Sequence, residues 1–437
     1  MKFQYGLDDL PPLLKTLLFG SQWAALLIST ILILGKVVGI IHYPDQYGQI
    51  LYLQKLFFIS SITLIIQIFW GHRLPLLPGP SAVLLIGVIA SSAFGMPVIY
   101  SSIIIGGILI AAFSISGLLK YVTGLFTSNV VSVVLILIAF TIAPTIMDLM
   151  IDKNSGIDPS RNMSFALVTV FLMFLFHRLL KGTLKSTLVI WAIIFGSVIY
   201  YFIFPVNPPS PAVKGPQVNI FFSDMTLKPV FHPGVIISFI FCFIALLIND
   251  LGSIESVNEV LEAQDRKGRV KRGITVTGLA NIAAGFMGVI GPVNYSISPG
   301  IIINTGCASR YTLIPAALLM LVMSFLPIVT GIIVNIPSVI IGSVLAYVMA
   351  SQIAAGLIVA FKDKGSEEFR MESGMVIGIS IFLGTIVAFF PDSMVESIPL
   401  YLRPVLTNGF VAGVISAILM EQIFLRKNEG DTGDAED

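Results

Sequence analysis

Apolar runs of about 20 residues, the length that crosses the hydrocarbon layer of a bilayer as a helix, recur along the whole chain. They fall near 15–38, 51–70, 78–95, 97–119, 127–149, 163–181, 186–205, 232–251, 272–291, 295–307, 311–334, 338–360, 374–391 and 405–425. This predicts an all-α polytopic membrane protein with fourteen transmembrane segments, seven followed by seven. Two of the fourteen are broken. From Asn294 to Arg310 the apolar run is too short to span and opens with polar residues; Ser298 is placed to cap a half-helix, with Pro299 at its first position. From His72 to Leu85 an extended Pro-rich stretch leads into a second apolar half-span, with Gly79 and Pro80 as its cap and first turn. The competing reading is that Pro and Gly merely kink two ordinary spanning helices. Both breaks come third in a run of seven, which favours paired half-helices, the arrangement that builds solute sites at mid-membrane.

Composition agrees with the pattern. Hydrophobic residues are 56% of the chain and charged residues 11%, and the mean hydropathy is +0.95, far from the soluble globular range. With both termini on the cytoplasmic side, eighteen of the 25 Lys and Arg residues fall in the termini and inward loops. Lys36, Lys55, Lys153, Arg161, Lys214, Lys228 and Arg403 fall outward. That bias supports fourteen spans of a multi-pass protein of the cell membrane. No cleavable signal peptide is read at the N-terminus, where Asp8 and Asp9 precede the first span. The net charge of +1 argues against nucleic acid as a partner. Residues 426–437 form an acidic tail read as disordered, and the Glu367-Glu368 pair is read as a solvated loop.

No P-loop, HExxH or Gly-x-Ser-x-Gly motif is present, so no enzyme and no cofactor is predicted, and transport energy has to come from an ion gradient. Ionisable residues within the spans are few, and each is a functional candidate because burying it is costly. Asp250, beside Asn249, is the foremost. It lies either deep in the bundle, where it can carry a proton, or at the cytoplasmic mouth, paired with a base from the Arg266–Arg272 loop. Gln22 offers a donor and an acceptor in the first span. Glu421 reads as a helix-end or snorkelling residue. His42, His72, His177 and His232 sit at predicted membrane boundaries without metal-ligand spacing, so no metal site is predicted. Cys242 and Cys307 read as small buried apolar residues.

The segment Asn249-Asp-Leu-Gly-Ser, the charged linker after it, Gly278-Leu-Ala-Asn-Ile-Ala-Ala-Gly-Phe-Met-Gly, the broken stretch and Asn335-Ile-Pro-Ser-Val-Ile-Ile-Gly resemble the nucleobase-ascorbate transporter family, the uracil-xanthine permeases. The first half is similar in layout, with Ser21-Gln22 where the family often has Gln-His and Gly79-Pro-Ser-Ala opening the third span. The resemblance implies one transporter domain over residues 1–437 in two inverted seven-span repeats. Its core spans would cover about 15–119 and 232–334, its gate spans about 127–205 and 338–425. The chain departs from the family signature at the site. The tenth span reads Ile297, Ser298, Pro299, Gly300 and, five residues on, Thr305, so Gly and Thr are kept while the leading polar residue and the Asn are replaced. In the eighth span the family's substrate-binding Glu, three residues before Gly252, is Asn249, and Asp250 is displaced by about 100° around the helix.

The resemblance implies symport of a nucleobase, such as the purine xanthine, with a proton, or with sodium in its place. The substrate-binding candidates are Asn249, Ser296, Ile297, Ser298, Gly300, Ala82, Ser81 and Gln22, and Asp250 is the proton-coupling candidate. The partners are then a small solute, the coupling ion and the lipid bilayer, with a homodimer as the candidate assembly. The alternatives are the same fold carrying another small solute or anion, suited by two positive helix ends, and a transport-inactive sensor.

Overall fold

The computed structural model describes residues 3–119, 127–181, 184–185, 187–204, 225–362, 371–399 and 402–422; the acidic tail and the Glu367-Glu368 pair lie outside them. The first group of elements is α1 (Leu13–His42), α2 (Gln46–Phe69), β1 (Pro78–Pro80), α3 (Ala82–Ala90) and α4 (Met96–Ser116). There follow α5 (Ser128–Ile151), α6 (Pro159–Leu179) and α7 (Leu188–Ile203). The second half holds α8 (Pro233–Val260), α9 (Arg266–Met287), β2 (Pro292–Asn294), α10 (Ser298–Thr305), α11 (Ile314–Ser324) and α12 (Pro327–Val334). It ends with α13 (Ser338–Lys362), α14 (Met371–Ala388), the short α15 (Asp392–Ser397) and α16 (Arg403–Leu406), and α17 (Gly409–Met420).

Polar residues start several helices where the sequence changes to apolar. Asp45 accepts from Gly48 N, Thr127 from Val130 N and Asn408 from Phe410 N and Val411 N, each meeting an amide that the first helical turn leaves open. Every one of the fourteen predicted intervals contains a helix. By length and apolarity, eight helices of the described residues qualify as spans, or nine when α11 and α12, bent by 86°, are taken together. The helix α9 is not in that set because Arg266, Lys267, Arg269, Lys271 and Arg272 occupy its first two turns; α7 and α17 are apolar but shorter.

The structure corrects the all-α expectation. β1 and β2 pair antiparallel, with Pro78 opposite Asn294, Gly79 opposite Val293 and Pro80 opposite Pro292. Gly79 and Pro80 are therefore strand residues. The cap of α3 is Ser81, whose hydroxyl accepts from Leu84 N. A side chain at Gly79 would meet the Tyr295 hydroxyl at 2.5 Å and Leu27 at 2.6 Å, so those two side chains would have to give way to it. Ser298 does not cap α10 either. Ile297 stands at the cap without a side-chain bond, and Ser298 is the first helical residue.

Around this sheet, α1, α2, α4, α8, α9 and α11 pack on one another with the half-helix α3 against α8, while α5, α6, α7, α13, α14 and α17 pack among themselves. The α4–α9 crossing is close-fitted: an added Cβ at Gly278 would lie 2.7 Å from Ala111 N and 2.9 Å from Gly107 O. Small residues here let two backbones approach, the device by which helices associate in membranes.

Lys36 and Lys55, counted on the outward side of the membrane, have their side chains buried within the protein on α1 and α2. Glu421 is buried too, with Asn129 Nδ2 donating to its two carboxylate oxygens at 3.4 and 3.1 Å; of its two expected readings the helix end holds, since it caps the C-terminus of α17, and snorkelling does not.

Candidate functional site

The polar end of the apolar half of α8 meets β2. Asp250 is wholly buried, and α8 runs ten residues beyond it, which excludes a place at the first water-exposed turn. Its Oδ1 accepts from Asn294 N at 3.0 Å and from Asn294 Nδ2 at 2.6 Å. Oδ2 is buried with no hydrogen-bond partner, with the Thr277 hydroxyl of α9 facing the same carboxylate. A buried carboxylate needs donors to remain an anion, and one strand residue supplies both.

Asn249 points the other way. It is half-buried, and its Oδ1 accepts from the hydroxyl of Ser296, which is exposed, at 3.3 Å. Ser253, one turn on, places its Oγ 2.8 Å from Asn249 O, 2.9 Å from Asn294 O and 2.7 Å from Ser296 Oγ. Each hydroxyl has one proton, so while Ser296 donates to Asn249 Oδ1 the 2.7 Å contact is made by Ser253 donating to Ser296, and when Ser253 turns to a carbonyl Ser296 donates to Ser253 instead. The Asn249 Nδ2 and the Ser296 hydroxyl thus form a polar lip beside the buried Asp250.

The remaining sequence candidates divide. Ser298 Oγ accepts from Leu77 N at 3.3 Å and donates to Tyr295 O at 3.1 Å, so the hydroxyl fastens β1 to the start of α10. Ser81 is engaged likewise as the α3 cap, with its N–H donating to Gly291 O. Ala82, half-buried, begins the helix whose first amides have no partner within it. Ile297 is 51% exposed at the lip, and Gly300 is exposed with open space where a Cβ would stand, so close packing does not demand glycine there. Thr305 donates to Ile301 O at 2.8 Å within α10, away from the lip. Gln22 is half-buried on α1, and among the described residues no hydrogen bond joins it to the cluster.

Asn294, Ser253, Thr277, Gln67 and His72 carried no role in the sequence reading. Gln67 Nε2 donates to Thr277 Oγ1 at 3.2 Å and to Gly273 O at 3.0 Å, and Gln67 Oε1 accepts from His72 N. His72, placed by the sequence at a membrane boundary, is wholly buried, and its Nδ1 accepts from Leu74 N at 3.0 Å. The turn that holds it is wrapped by basic side chains: Arg269 donates to His72 O and Arg73 O at 2.9 Å each, and Arg272 to Gly71 O at 3.3 Å. The signal that could have found these residues is the run of isolated polar side chains at apolar depth: Gln67, Thr277 and Asn294. Among the described residues no group of three or more His, Cys, Asp or Glu side chains could hold a metal ion. The arrangement offers hydrogen bonding to a neutral polar solute at the lip and a proton-accepting carboxylate behind it.

The family model described as "Permease family", that of the xanthine–uracil permeases, matches residues 14–393. A xanthine permease of Bacillus subtilis is 24% identical over 427 residues, covering 94% of this chain and 94% of the relative. A putative purine permease of Clostridium perfringens is 24% identical over 428 residues, covering 96% and 92%. Among solved structures, the transmembrane domain of a cyanobacterium bicarbonate transporter, BicA, superposes with a TM-score of 0.66 at 16% identity, covering 95% of this chain and 100% of that one. The murine anion transporter Slc26a9 in its inward-facing state gives 0.59 at 12% identity, covering 95% and 69%. These two likenesses show the fold alone. The chain belongs to the xanthine–uracil permease family and is a multi-pass membrane transporter, not an enzyme.

Proposed function

We propose that the chain is a secondary active transporter that carries a nucleobase, a purine such as xanthine, across the cell membrane by proton symport. The observation that carries this reading is the Asn249–Ser296 lip backed by Asp250. A planar base with an amide edge asks for a donor and an acceptor side by side, which an Asn side chain offers in neutral form. The neighbouring carboxylate is buried with one oxygen unpaired, and a group in that setting can take up and release a proton as a solute crosses. The names of the relatives, xanthine and purine permeases, favour the substrate class.

The same reading takes the fold as fourteen spans in two inverted seven-span repeats with both termini cytoplasmic. The antiparallel pairing of β1 with β2 supports it, since two half-helices that follow antiparallel strands run in opposed directions. The packing of α5–α7, α13, α14 and α17 mostly on one another supports a gate that moves against a core of α1–α4 and α8–α12.

Purified protein in liposomes is expected to take up radiolabelled xanthine saturably, with uracil, hypoxanthine, guanine and adenine as the comparison set. Asn249→Ala should weaken binding by about 1–3 kcal/mol, the cost of leaving a buried partner unmet. Absence of saturable uptake or binding of any base would remove the nucleobase reading, and unchanged affinity in the folded variant would remove Asn249 from the site. A second reading, transport of an anion, is favoured by one feature: the side chains of Ser81 and Ser298 are engaged in the scaffold, leaving helix amides as the donors at both half-helix starts. Bicarbonate and sulfate uptake in the same liposomes distinguishes the two.

A further inference from the structure

Three successive backbone carbonyls in the turn between α12 and α13 are each held by a side chain from elsewhere in the molecule. Lys36 of α1 donates from Nζ to Val334 O at 2.9 Å and to Ile336 O. Tyr201 of α7 donates its hydroxyl to Asn335 O at 2.6 Å. The Asn335 side chain is also tied, with Gln46 Nε2 donating to its Oδ1 at 3.3 Å. Lys36 is 5% exposed. A lysine buried in an apolar helix is expensive unless its ammonium is met by acceptors. Here it sits at the C-terminal end of α12, where the last carbonyls lack partners within the helix and the dipole is negative. Asp152, at the end of α5, acts on the same ammonium through its charge.

The place matters more than the bond count. The turn 334–336 joins α12 to α13, and those two helices belong to two groups that each pack mostly within themselves. When two bodies move against each other, the motion is absorbed at a few residues where an element ends. Pro337 follows directly and fixes its own φ, which confines the adaptable residues to the turn itself. The geometry points to this turn as the pivot between core and gate, clamped to the core by Lys36 and latched to the gate by Tyr201. Lys36 keeps α12 moving with α1 as one body; the Tyr201 bond is the contact from α7 to the turn that opens when the gate swings. This rests on the core and gate reading given above.

The test uses the full chain in nanodiscs, with spin labels on cysteines introduced at exposed Pro44 and Asn154, and hydrogen–deuterium exchange over residues 333–337. Tyr201→Phe is expected to broaden the Pro44–Asn154 distance distribution and to change the xanthine uptake rate several-fold, with binding affinity and melting midpoint as in the native protein. Lys36→Met is expected to speed exchange at 333–337, and Lys36→Arg, which keeps a cationic donor, to exchange as the native chain does. A native distance distribution in Tyr201→Phe overturns the latch. Native exchange in Lys36→Met overturns the clamp, and should that variant fail to fold, faster exchange in a folded Lys36→Arg overturns it instead. If the native protein carries no base, the nucleobase reading falls, while the distance and exchange measurements still decide the pivot.

Discussion

A carboxylate at full burial in an apolar helix must find donors, and Asp250 finds both on one residue of β2. The substitution Asp250→Asn keeps an oxygen that can accept from Asn294, so the fold is expected to survive, but the amide cannot take up a proton. In a proton-coupled carrier the variant should therefore lose accumulation against a gradient and retain exchange of labelled for unlabelled base at equal pH. Accumulation that persists would show Asp250 to be structural and turn attention to sodium. The pair Asn249-Asp250 stood out in the sequence because a polar couple ends a long apolar run. The role of Asn294 did not, because it exists only once β2 is brought against α8.

At the scale of elements, the α4–α9 crossing depends on glycine for a steric reason. A methyl at position 278 would be forced against the backbone of α4 at Ala111 and Gly107, which cannot turn aside as a flexible side chain can. Gly278→Ala is expected to destabilise the protein by about 1–3 kcal/mol through overpacking, read as a lower unfolding midpoint in detergent. Gly378→Ala, in α14 where nothing lies within 4 Å of the added Cβ, is the matched control and should leave the midpoint unchanged or slightly raised. Equal midpoints for the two variants would show that the crossing tolerates separation. The half-helices were legible from their Pro and Gly residues, but their caps were misplaced by one or two positions. The reason is that β1 extends as far as Pro80 to pair with Pro292, a partner more than 200 residues away.

For the whole molecule, the orientation expected from the charge bias is a prediction: it puts the basic residues at the start of α9 on the cytoplasmic side and the turn after α5 outside. A cysteine at exposed Asn154 should then react with a membrane-impermeant maleimide added outside intact cells, and one at exposed Lys267 only after the membrane is opened. The reverse pattern would invert the orientation. Equal labelling of both would contradict their being on opposite sides.

The sequence by itself determined the class of molecule, because burial in lipid is a matter of apolar length and charge count, quantities local to each run. It also located the two breaks and the Asn249-Asp250 couple, since Pro, Gly and isolated polar residues change the local preference of the chain wherever they occur. The tertiary structure alone decided which polar groups meet. The β1–β2 pairing, the Asn294 clasp on Asp250, the Asn129–Glu421 contact and the seat of Lys36 on the α12 end each join residues far apart in the chain. A buried polar group takes whatever partner the packing brings within about 3 Å, and no periodicity along the chain encodes that distance.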